Sequence, residues 1–72
     1  MPAILVQALA GRGVARKREL ARRITDAVVD VYGVLPQNVT VRFQESGLED
    51  FARAGVLASD SPEMRQMANL AE

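Results

Sequence analysis

The chain contains no cysteine and no histidine, and each absence closes a route to stability or chemistry. Without cysteine there is no disulfide to staple the fold. Without either residue the usual zinc frameworks are missing, so a structural metal is not expected. Net charge is also absent, with nine basic residues balanced by nine acidic ones, which argues against a general polyanion binder. Apolar runs are short. "AILVQALA" has no positive region before it, as a signal peptide would, and falls far below the roughly 18–20 apolar residues of a membrane span. A cytoplasmic protein with no membrane or nucleic-acid partner is the expectation, and the lack of cysteine is compatible with a reducing compartment.

At 72 residues the chain reads as a single domain, 1–72, with a core over 2–59 and a C-terminal extension over 60–72. A core of this size alone rarely supplies more than about 3–5 kcal/mol. With disulfides and metals set aside, oligomerisation is the remaining supplement.

Ala3 to Leu9 is almost continuously apolar, the pattern of a strand covered on both faces. Val39 to Gln44 alternates, with Val39, Val41 and Phe43 on one side and Thr40, Arg42 and Gln44 on the other. Between these segments, Val14 to Tyr32 lacks proline and glycine and carries Leu20, Ile24, Ala27, Val28 and Val31 as a helical stripe. Gly13 marks its start and Gly33 its stop, with Pro36 just beyond. Glu19 with Arg23 and Arg22 with Asp26 are opposite charges four residues apart on the solvated side. Arg12 to Arg23 holds six of the basic residues, but the interleaved acids and the lack of stacking aromatics favour a solvated helix face over a phosphate-binding one.

A strand, a helix of this length and a second strand imply a right-handed parallel βαβ unit. The fold class is therefore α/β (α+β): one βαβ unit with two parallel strands, a C-terminal hairpin or loop in "SGLEDFARAGV", and a short tail helix in "SPEMRQMANLAE". Ser61 is placed to cap that helix and Pro62 to occupy its first position. Met64, Met67, Leu70 and Ala71 would form its apolar side. One helix covers one sheet face, so the other face needs a second subunit.

Pro2 stands directly behind Met1. As a strand-start residue it needs no further account. If Met1 is trimmed, however, Pro2 carries a free secondary amine, which is a base. Gly11-Arg12 follows the first strand, and Phe51 precedes "ARAGVLAS". Together, without a gap from Pro2 to about Ser59, these features resemble the 4-oxalocrotonate tautomerase family, whose short βαβ subunits have an amino-terminal catalytic proline.

The resemblance implies a cofactor-independent isomerase in which Pro2 is the general base for enol–keto proton transfer on a small carboxylated enol or unsaturated keto acid. It implies that Arg12 binds a substrate carboxylate through its bidentate fork, that Phe51 forms an apolar wall, and that subunits assemble as hexamers, often trimers of dimers. In the same register the family's second-strand arginine falls on Thr40, and the nearest arginine, Arg42, stands two residues further along. The hairpin, usually glycine-rich, reads "ARAG" and adds Arg53. Arg42 and Arg53 therefore read either as substrate contacts or as surface and intersubunit ion-pair residues, and Phe51 reads equally as packing. Related families dehalogenate or decarboxylate unsaturated acids with the same proline. "VARKREL" is similar to a subunit of a heterohexameric dehalogenase, which leaves a hetero-oligomer open beside a homo-oligomer. A binding or scaffolding relative with no activity is the reading from another class.

Overall fold

The computed structural model describes residues 1–69. The chain runs β1 (Ala3–Leu9), α1 (Val14–Tyr32), a 3-10 turn (Pro36–Asn38), β2 (Thr40–Ser46), β3 (Ala52–Arg53), β4 (Val56–Leu57), a second 3-10 turn (Ala58–Asp60) and α2 (Pro62–Asn69). Strands β1 and β2 pair in parallel from Ala3 opposite Thr40 to Leu9 opposite Ser46. This is a βαβ unit, followed by a two-residue antiparallel hairpin of β3 with β4 and a tail helix. No helix among the described residues is long and apolar enough to cross a membrane.

The first helix has the bounds that its punctuation predicts. Gly13 caps its start in an extended conformation, and Gly33 ends it at φ 70° with its N–H on the Val29 carbonyl, the left-handed stop that glycine adopts without steric cost. On the solvated side, Arg22 reaches Asp26 at 3.2 Å and Arg23 reaches Glu19 at 2.5 Å, the two pairs expected from spacing. Arg22 also bonds Glu19.

Strand β2 differs from its expected Val39–Gln44. The N–H of Val39 is taken by the Pro36 carbonyl, so pairing starts one residue later. At the far end the ladder continues through Glu45 and Ser46, past the point where apolar alternation fails. Glu45 occupies the face of Val41 and Phe43, where an unpaired carboxylate would be costly. Lys17 of α1 meets it at 2.6 Å, which satisfies the charge and ties the helix to the sheet.

α1 covers the face carrying Ile4, Val6, Val41 and Phe43, all half-buried, while Ala3, Leu5, Thr40 and Arg42 on the opposite face are exposed. The helix contributes a narrower contact than its sequence stripe suggests. Ile24 and Val28 are half-buried, whereas Leu20, Ala27 and Val31 remain exposed. A single helix laid on two strands touches along one line only, so the flanks of the stripe stay uncovered. Among the described residues, the buried hydrophobic side chains are Ala58 and Met64. Molecular extents of 43 × 23 × 15 Å fit two thin layers. Most apolar area that this sequence encodes is thus still available for contact with further subunits.

The hairpin turns through Ala54 at φ 55° and Gly55 at φ 81°, the pair of positive φ values that matches the twist of two-residue hairpins. Glycine takes this conformation freely, but for alanine the left-handed region costs about 1–2 kcal/mol. Ala54→Gly is therefore expected to stabilise the protein by about 0.5–1 kcal/mol after the entropy of the unfolded glycine is subtracted. Thermal unfolding checks this, and an unchanged or lower Tm would contradict the strain.

At the tail, the Met64 N–H donates to Ser61 Oγ at 3.3 Å, the cap expected from "SPEM". Met64 is buried, while Met67 is 37% exposed. Leu70 and Ala71 of the expected apolar side lie outside the described residues.

Candidate active site

The sequence candidates fall at the two opposite ends of the parallel strands. Pro2 stands at the start of β1, half-buried, and its carbonyl accepts the Thr40 N–H at 3.0 Å. That bond begins the ladder and fixes the backbone of Pro2 beside β2. Met1 projects into solvent, 88% exposed. With Met1 attached the Pro2 nitrogen is an amide without a basic lone pair; without it the nitrogen is a secondary amine.

Thr40 and Arg42 share this end. They pair with Ala3 and Leu5 and line a shallow depression of about 460 Å³ on the sheet face away from α1. Arg42 is thus two residues along the same face from Thr40, its root displaced by about 6–7 Å.

Arg12, Phe51 and Arg53 stand at the other end. Arg12 follows β1 across Gly11, whose φ of 139° favours glycine, and its guanidinium donates to the Leu9 carbonyl at 3.2 Å. Phe51 and Arg53 line a groove of about 430 Å³ with Gln7, Leu9, Gln44 and Ser46. The Ala58 N–H donates to the Phe51 carbonyl at 2.8 Å, and the Ser59 N–H to the Leu48 carbonyl at 2.9 Å, which anchors the base of the hairpin. The seven residues of β1 separate Pro2 from this cluster by roughly 23 Å. One chain therefore brings Pro2 together with Thr40, and Phe51 together with Arg53, but does not bring the first pair to the second.

The groove also holds side chains that the sequence candidates omit. Gln7 and Gln44 lie opposite each other in the ladder, with Gln7 Nε2 donating to Gln44 Oε1 at 3.4 Å. The period-two alternation carries this signal, since both amides fall on exposed positions of their strands. The shifted ionisations lie elsewhere. Hydrogen bonds from Arg22 and then Arg23 hold the Glu19 carboxyl below its ordinary value, and the bond to Glu19 raises Arg22. Both belong to the solvated helix face.

The profile of a family described as tautomerase enzyme matches residues 2–61. The chain is 33% identical over 60 residues to the 2-hydroxymuconate tautomerase of Bacillus subtilis, covering 83% of this chain and 97% of that one. Among solved structures it is similar to a 4-oxalocrotonate tautomerase isozyme of Methylibium petroleiphilum, at 40% identity and TM-score 0.76, over 93% of this chain and 98% of the other. It is also similar to a heterohexameric 4-oxalocrotonate tautomerase of Chloroflexus aurantiacus, at 25% identity and TM-score 0.76, over 83% and 97% of the two chains.

Proposed function

The chain belongs to the tautomerase enzyme family, and from that premise we propose that it catalyses enol–keto proton transfer on a small carboxylated enol or unsaturated keto acid, with Pro2 as the base. The family match begins on Pro2 itself, and this observation carries the reading. Once Met1 is removed, the amine of Pro2 takes the proton of the enol and becomes a secondary ammonium. It then returns a proton to carbon along the conjugated system, and the ketone forms with no net change of atoms or electrons. Arg12 binds the substrate carboxylate, and Phe51 supplies an apolar wall that keeps water from the transferring proton.

The separation of Pro2 from Phe51 within one chain supports a site shared between subunits. The uncovered sheet face and the exposed flanks of α1 offer the surface for such an assembly. We take this to be a homo-oligomer, with a hexamer as the expected form. The heterohexameric relative keeps a mixed assembly as the alternative, and the lack of an arginine at Thr40 favours a substrate that differs from the family's parent compound.

The test couples mass to turnover. Intact mass spectrometry gives the fraction of chains lacking Met1, and ketonisation of phenylenolpyruvate gives the activity of the same preparation. Activity is expected to scale with that fraction. Full activity in protein that retains Met1 would remove Pro2 from the mechanism.

A further inference from the structure

Among the described residues, the groove between the hairpin and the strand ends has one charged residue in its lining. Arg53 stands there among Gln7, Ala8, Leu9, Gln44, Ser46 and Phe51, with no carboxylate among the described residues. Among the described residues Arg53 makes no ion pair. Phe51 and Arg53 are two apart along an extended segment, so their side chains leave it on the same side, and both reach the groove. Gln44 accepts from Gln7 and keeps its amide N–H groups for another partner, and Ser46 adds a hydroxyl. A cation, amide and hydroxyl donors and an aromatic wall together suit a flat, conjugated acid: the ring stacks on its body and the donors meet its oxygens.

Arg42 has a different setting. It lies beside Leu5, which is 51% exposed, two residues back from Gln44 on the same sheet face that α1 leaves bare, and its depression is otherwise lined by Ala3, Ile4, Leu5, Thr40 and Val41. A subunit that covers Leu5 also covers Arg42, and no aromatic residue accompanies it.

We propose that Arg53, and not Arg42, is the specificity-determining cation that reads the second anionic group of the substrate, from the hairpin instead of from β2. The inference rests on the proposed tautomerase reading for the role of the groove. Any assembly that carries Phe51 to Pro2 delivers Arg53 with it, because the two residues are fixed on one hairpin. Arg53 then meets an anionic group of the substrate other than the carboxylate held by Arg12.

Two six-carbon conjugated acids that cannot tautomerise separate the possibilities. cis,cis-Muconate carries two carboxylates and sorbate carries one. By calorimetry the wild-type protein is expected to bind muconate about 10- to 100-fold more tightly than sorbate, the range of one hydrogen-bonded charge contact. Arg53→Ala should erase that selectivity while leaving sorbate affinity within about twofold, as expected for an exposed residue outside any ion pair. Arg53→Lys should restore part of it, since lysine keeps the charge but loses the fork. Arg42→Ala should keep the selectivity. Equal binding of both acids by wild type, selectivity that survives Arg53→Ala, equal loss of both probes in that variant, or selectivity lost in Arg42→Ala would each overturn the proposal. Wild-type protein shown by intact mass to lack Met1 that selects muconate yet fails to ketonise phenylenolpyruvate would support Arg53 and refute Pro2 as the base, so the two readings fail separately.

Discussion

Pro2→Ala is expected to lower the ketonisation rate by about 10²–10⁴, the usual contribution of a positioned acid–base group. Alanine after trimming still offers an amine, but it loses the ring that fixes φ and aims the lone pair. Its chain end is free to rotate about the bond that Pro2 locks. The loss should fall on kcat, since Arg12 and Phe51 still hold the substrate. Retaining Met1 in front of an unchanged Pro2 should produce a loss of at least the same size, because the nitrogen is then an amide. The two lesions together should be no worse than one, as they remove the same group. If Pro2→Ala turns over phenylenolpyruvate at the wild-type rate, another base operates.

The second large effect concerns Leu5. This residue is 51% exposed in the single chain, so Leu5→Asp removes little from the chain itself. In an assembly that covers this sheet face the same change forfeits about half of the burial of a leucine, roughly 0.8–1.5 kcal/mol, and also places a carboxylate where it is poorly solvated. Each interface should weaken by a factor of about 10–100 or more. Sedimentation is expected to show Leu5→Asp as smaller species at micromolar concentration, with activity lost in proportion. Wild-type protein that sediments as a monomer there would refute the shared site. A variant that remains assembled would show that the covering contact lies elsewhere, for instance along Leu20 and Val31.

Much of the fold was legible because its punctuation is local. Gly13 and Gly33 bracket a segment free of proline and glycine, and α1 ends where they stand. Ser61 and Pro62 announce α2 in the same way. What escaped was tertiary. Glu45 interrupts the apolar alternation, so the sequence pattern of β2 stops at Gln44. The ladder goes on because Lys17, twenty-eight residues away, answers the charge. Leu20 and Val31 belong to the helical stripe by periodicity but not to the contact, since two strands are too narrow to cover it. Pro2, Arg12 and Phe51 are proposed from their family spacing, and no spacing reveals that one chain holds Pro2 at one end of β1 and the other two at the opposite end. Gln7 and Gln44 belong to no motif, and although period two places each on the exposed side of its strand, only the register sets them side by side.

The hydrogen bond from the Thr40 N–H to the Pro2 carbonyl bears on the order of events in maturation. The anchor lies on the downstream side of the Met1–Pro2 peptide bond, and Met1 itself packs on nothing that holds the fold. Cleavage there would therefore remove no hydrogen bond from the ladder, and the backbone of Pro2 is anchored beside β2 whether or not its nitrogen is free. An aminopeptidase can act on the nascent chain or on the folded one and leave the same product. On the proposed mechanism, unmasking the base would be a chemical event without a conformational one.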